Sequence, residues 1–315
     1  MKTIVKAALL LGALIAPSMA AAQQYPSKTV TIVVPFPPGG SNDTVARYLA
    51  PVLSELWKQT VVVANRPGAG TIVGTGTVTK AEPDGYTLLF VSGDVAANAA
   101  VRDNMPFSVI DDLQPVAIAM MNDRFAMTGS RTNIPTLADL VKESKAKTIF
   151  YGTSGIGGMG HFSGALLNDA MGINMQAVHY SGGAAAIADL GGGRIDVFFG
   201  SMIEVNSGIG KPIAVLGDTR SPALPDVPTV VEAGFPDAQV PGWLGVFAPA
   251  KTPENVVNKI NADVYKALST PEARKFLAAQ AGRPSDMSAK DFTAYFASYY
   301  KKMKATADKH SIRSN

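Results

Sequence analysis

No cysteine occurs anywhere in the 315 residues, which excludes disulfides, a thiol nucleophile and the lipidated cysteine of an acyl anchor. Histidine is nearly as scarce. His161, His179 and His310 are the three, and none stands in an H-E-x-x-H or comparable metal-ligand spacing. Neither a metal nor a cofactor is therefore expected. Charge of one sign is also lacking, with 28 Lys and Arg against 25 Asp and Glu, so neither nucleic acid nor an anionic membrane is suggested as a partner. Beyond the N-terminus no apolar run is long enough to cross a bilayer.

What is present begins with Lys2 and Lys6 ahead of an uncharged run, Ala7 to Ala16, that ends in Pro17-Ser18-Met19-Ala20-Ala21-Ala22. A charged start, a short apolar stretch and small residues at Ala20 and Ala22 are the order of a signal peptide cleaved near Ala22, before Gln23. The segment has no polar face, which argues against an amphipathic helix. With residues 1–22 set aside, the exported remainder of 293 residues carries 26 basic and 25 acidic side chains. That length fits two domains better than one.

Short β-branched runs recur at Thr29 to Val34, Thr60 to Ala64, Thr87 to Val91, Ile149 to Tyr151, Ile195 to Phe199 and Ile213 to Leu216. Helix-like stretches lie between and after them: Asp43 to Trp57, Leu137 to Lys145, Gly160 to Met171, Glu254 to Leu268, Pro271 to Ala281 and Ala289 to Asp308. This is an α/β pattern, with a mainly parallel sheet expected. Thr136, Thr252, Thr270 and Ser288 stand where a hydroxyl would cap a helix start. Apolar runs at Val116 to Met127 and Trp243 to Pro249 are the candidate hinge strands. They divide the chain into residues 23–127 plus 243–315 as a first lobe and 128–242 as a second, with the C-terminal helices packing back on the first. In such an architecture a ligand sits between the lobes, at the carboxyl ends of strands where helix N-termini converge.

Three turns carry the candidate chemistry. In the first, the strand ending at Val34 is followed by Phe36, and Pro38, Gly39, Gly40, Ser41, Asn42 and Asp43 lead into a helix. The free N–H groups of a helix start carry partial positive charge and hold a carboxylate without Lys or Arg, while Gly39 and Gly40 let it approach the backbone. An ordinary N-cap beside a tight turn explains the same residues equally well. The second turn holds Thr153, Ser154, Gly155, Ile156, Gly157 and Gly158, with His161 on the helix behind it. Its glycines satisfy G-x-G-x-x-G, but no acidic residue is placed to take a ribose, so a dinucleotide is not expected. His161 fits a structural histidine better than a ligand donor. The third turn runs from Tyr180 through Gly182 and Gly183. Asp196, at the start of a strand, either faces the cleft or caps a turn. For catalysis, Gly152-Thr153-Ser154-Gly155-Ile156 falls one glycine short of the G-x-S-x-G elbow, and no serine triad assembles.

Several motifs together resemble the Bug-type periplasmic receptors of tripartite tricarboxylate transporters. They are Val34-Pro35-Phe36-Pro37-Pro38-Gly39-Gly40 with Asp43 and Arg47, Asn65-Arg66-Pro67-Gly68-Ala69-Gly70, Ala81-Glu82-Pro83-Asp84-Gly85-Tyr86-Thr87-Leu88, Arg220-Ser221-Pro222-Ala223-Leu224-Pro225-Asp226-Val227-Pro228-Thr229, Glu232-Ala233-Gly234 and Trp243. The resemblance implies a two-lobed periplasmic-binding-protein (Venus-flytrap) fold with two hinge strands. It implies a monomer of the periplasm that captures a small organic carboxylate, aliphatic or aromatic, and delivers it to a small and a large membrane subunit. In the family the loops matching Pro38 to Asp43 and Thr153 to Gly158 hold the ligand carboxylate. The stretch from Ser92 to Asn98 faces the cleft, although Gly93-Asp94-Val95 departs from the usual pattern there. The alternative from another class is an extracytoplasmic hydrolase, or a ligand-sensing signalling partner, using the same cleft.

Overall fold

A computed structural model describes residues 25–180 and 182–314, and the expected signal peptide, residues 1–22, lies outside them. The chain opens with β1 (Val30–Val34), α1 (Ser41–Trp57), β2 (Val61–Asn65), α2 (Ile72–Thr79), β3 (Thr87–Ser92), α3 (Asp94–Ala100) and β4 (Leu113–Asn122). It continues with β5 (Phe125–Gly129), α4 (Leu137–Ala146), β6 (Phe150–Thr153), α5 (Met159–Met171), β7 (Gln176–His179), α6 (Gly183–Gly192), β8 (Val197–Gly200), α7 (Met202–Val205) and β9 (Gly210–Val215). Last come β10 (Gly242–Pro249), α8 (Glu254–Leu268), α9 (Pro271–Ala279), β11 (Gly282–Arg283) and α10 (Ala289–Lys309).

Two sheets result, one of order β11-β4-β10-β3-β1-β2 and one of order β7-β6-β8-β5-β9. The chain leaves the first between Asn122 and Phe125 and returns to it between Val215 and Gly242. This corrects three expectations. The sheets are mixed rather than mainly parallel, because β10 runs antiparallel to β3 and β4, and β5 antiparallel to β8 and β9. Trp243 to Pro249 is also not the crossing itself: β10 sits at the centre of the first sheet, and the return is made by the segment before it. Phe125 to Met127, expected in the first lobe, lie in β5 of the second sheet.

Strand alternation places the core, since successive side chains face opposite sides of a sheet. Val30, Ile32 and Val34, with Leu88 and Phe90, meet Leu49 and Leu53 of α1 and Ile260 of α8 on one face. Val33, Leu89 and Val91 face the other way, into a cluster that also takes Phe199 and Phe162 from the second sheet's side and Phe292 and Phe296 from α10. One apolar cluster therefore runs under both sheets, with α10 as its strap. Thr136, Thr270 and Ser288 cap their helices as expected. Thr252 does not: its buried hydroxyl donates to Pro249 O at 2.8 Å and closes the turn before α8, which starts without a side-chain cap.

Candidate functional site

A cleft of about 450 Å³ opens between the sheets. Its first wall is the turn between β1 and α1, where Phe36, Gly40, Ser41 and Asn42 line it. Gly40 is the N-cap at φ −81° and has no side chain to satisfy the first N–H groups, which are left available to the cleft. Asp43, three residues beyond, does not reach the cleft. It is buried and accepts from Gly39 N–H, Arg47 Nε and Asn65 Nδ2 at 2.8–2.9 Å. Burial pushes its carboxyl up, but the Arg47, Gly39 and Asn65 hydrogen bonds outweigh it and hold the group below the usual range. Pro38, Gly39 and Asp43 thus shape the turn rather than line the site, with Gly39 at φ +94° supplying its bend.

The opposite wall comes from β6 and α5, where Ser154, Met159 and Gly160 line the cleft. Thr153 is corrected from a ligand donor to a loop fastener. It is fully buried, its Oγ1 lies 2.8 Å from His179 Nδ1, and it accepts from Gly155 N–H at 3.3 Å. His161 does not line the cleft, and its Nδ1 accepts from Gly157 N–H at 3.3 Å. Burial, followed by His179 and His310, lowers its pKa to about 4. Gly155 and Gly157, at φ +128° and +74°, give the loop its course, and Ile156 and Gly158 complete it without lining the cleft.

From the third turn Gly183 lines the cleft, whereas Gly182 does not, and Ser181 lies outside the described residues. Tyr180 points its hydroxyl to Asp189 Oδ2 at 2.9 Å, so it is corrected to a local contact of α6. Asp196 is corrected as well. It precedes β8, at the end of the strand opposite the cleft, where it pairs with Lys147 Nζ at 2.7 Å and accepts from Phe150 N–H at 2.9 Å. Ser92 does line the cleft, its hydroxyl donating to Asp94 Oδ2 at 2.6 Å.

Sequence reasoning missed Arg124 and Glu204, and reached Asp94 only as part of a stretch that the resemblance turned toward the cleft. Asp94 opens α3, Glu204 lies in α7, and Arg124 stands at the crossing from β4 to β5; all three line the cleft. The neighbouring Asp123 faces Arg283 instead. The signal was the polar triplet Asn122-Asp123-Arg124 inside the apolar run that marked the crossing. Among the described residues, four lining residues carry a buried side-chain polar atom without a partner: Asn42 Oδ1, Asn122 Oδ1, Arg124 Nε and Trp243 Nε1. A buried polar group left unpaired costs about 1–3 kcal/mol, so their convergence on one cleft marks a place built for a polar guest. Arg124 makes one weak bond, from Nη2 to Phe199 O at 3.3 Å.

Residues 45–312 match the model of the tripartite tricarboxylate transporter family receptor. BugT of Bordetella pertussis is 32% identical over 271 residues, 84% of this chain and 83% of its own. Two solved structures share the fold at similar distance. An R. palustris protein with adipate gives a TM-score of 0.80 at 29% identity, covering 92% of this chain and 99% of that one. MatC from Rhodopseudomonas palustris with bound malate gives 0.76 at 28%, covering 90% and 99%.

Proposed function

The chain belongs to the tripartite tricarboxylate transporter receptor family, and from that premise we propose that it is a periplasmic solute-binding receptor, not an enzyme. It is exported by its N-terminal signal peptide, captures a small organic carboxylate between two lobes, and delivers it to the membrane subunits of a transporter. The first lobe is built on the β1–β4, β10 and β11 sheet, and the second on the β5–β9 sheet. The observation that carries this reading is the group of unpartnered polar atoms around one cleft, with Arg124 Nε chief among them. A guanidinium facing a carboxylate makes a charge-assisted bond, stronger than a neutral one. The unsatisfied N–H groups of α1 and α5 add neutral donors on either side. The relatives solved with adipate and with malate lend the carboxylate class further support.

Calorimetric titration with mono-, di-, tri- and aromatic carboxylates tests the proposal. One class is expected to bind without being consumed, and Arg124→Met to weaken it about ten- to hundredfold, the equivalent of one hydrogen bond to a charged group. Wild-type affinity in a folded Arg124→Met protein would remove Arg124 from the site, and turnover of the ligand would make the cleft catalytic.

A further inference from the structure

The cleft is lined by charges of both signs. Arg124 is the only cation among the described lining residues, and Asp94 and Glu204 are the two acids. No ion pair within 4.0 Å joins Arg124 to either acid among the described residues. The two carboxylates also come from different walls, Asp94 after β3 of the first sheet and Glu204 after β8 of the second.

Their commitments differ. Glu204 closes the start of α7, its Oε2 accepting from Ser201 N–H at 2.7 Å and Ser201 Oγ at 2.8 Å. Its Oε1 is turned toward Gly183 and lies 3.1 Å from where a Cβ at that residue would stand. Asp94 accepts from one described side chain, the Ser92 hydroxyl. An ionised carboxylate has about four acceptor sites, so Asp94 retains capacity inside the cleft. Tyr299 also lines the cleft; its hydroxyl packs beside Gly93 and meets Met159 Sδ at 3.3 Å.

A dianion entering this cleft satisfies Arg124 and then meets two acids of its own sign. A like charge brought near a half-buried carboxylate is repelled, and more strongly than in water because the local dielectric is lower. A ligand with one carboxylate and one cationic nitrogen satisfies both ends. From these charges we propose that the receptor selects an aminocarboxylate over a dicarboxylate of the same length, with Asp94 receiving the ammonium group and Glu204 adding to the field. This rests on the carboxylate reading of the same cleft and specifies the rest of the ligand.

The test uses pairs of equal chain length: β-alanine with malonate, γ-aminobutyrate with succinate, ε-aminocaproate with adipate. Each is titrated calorimetrically against the full mature chain, Asp94→Asn and Glu204→Gln, with melting temperatures confirming that the variants fold. The wild type is expected to prefer the amino member of at least one pair by about tenfold or more. Asp94→Asn is expected to erase most of that preference while still binding the dicarboxylate. Dicarboxylates bound as tightly as their amino partners, or a preference unchanged in both variants, would overturn the inference and leave the carboxylate receptor standing. If no member of any pair binds the wild type, this inference is overturned, and the wider carboxylate panel decides the receptor reading separately.

Discussion

His161 shows how a residue that never touches the cleft still governs it. Its Nδ1 accepts the Gly157 N–H, so the tautomer that fits carries its proton on Nε2. Protonation puts a hydrogen on the accepting atom and breaks that bond. With the folded pKa near 4 against 6.5 unfolded, the unfolded chain takes up the proton first as the solution is acidified. Stability is therefore complete above about pH 6.5 and falls as the pH drops toward 4. Melting temperatures across that window are expected to decline, and His161→Gln is expected to flatten the decline because its amide oxygen accepts without titrating. An identical slope in the variant would show that other groups set it. Asp43 acts lower on the scale: its depressed carboxyl keeps the first turn closed until the pH falls below the ordinary carboxylate range.

At the scale of elements, two strand-to-helix turns look alike in composition and differ in what their glycines do. Gly40 has an ordinary φ of −81°, and a Cβ there meets nothing within 4 Å, because that space is the cleft. Gly157 has φ +74°, and a Cβ there would lie 2.6 Å from Val101 Cγ2, at the end of α3. Gly40→Val is accordingly expected to melt like the wild type yet lose carboxylate binding. Gly157→Ala is expected to cost about 1–2 kcal/mol in backbone strain, lowering the melting temperature by several degrees. Differential scanning calorimetry paired with titration separates the two, and a destabilised Gly40→Val would show that this turn is more tightly packed than its geometry implies. The turns were legible in sequence because a β-branched run, glycines and a helix start follow one another. Helix α2, with the sequence Ile-Val-Gly-Thr-Gly-Thr-Val-Thr, was not. Its residues have poor helix propensity, and it forms where Gly74 lies so close to Arg66 O and Pro35 that no side chain would fit.

Across the whole molecule, the two sheets are joined by the Asp123-Arg124 crossing and by the return segment before β10, and α10 lies against β4 of the first sheet and against α5 on the second sheet's side. Tyr299 of α10 touches Met159 of α5, and Phe292 and Phe296 pack around Trp243 of β10. Closure about the crossings would move Arg124, at the pivot, least, and the Gly40 and Ser154 walls most. Small-angle scattering with saturating ligand is expected to show a smaller radius of gyration than the ligand-free protein. An unchanged radius would mean that the walls do not close on the ligand.

Sequence alone determined the α/β order and the glycine turns at the two principal helix starts. These are local matters: strand alternation, capping and the φ freedom of glycine act within a few residues. It also supplied the resemblance that named the ligand class. The charge of the cleft was decided only by tertiary structure. Asp94, Arg124, Glu204 and Trp243 lie far apart in the chain and meet because the chain crosses between sheets twice. Conversely, Asp43, Thr153 and Asp196 had the right chemistry for a ligand and were claimed by neighbours that the fold brought closer.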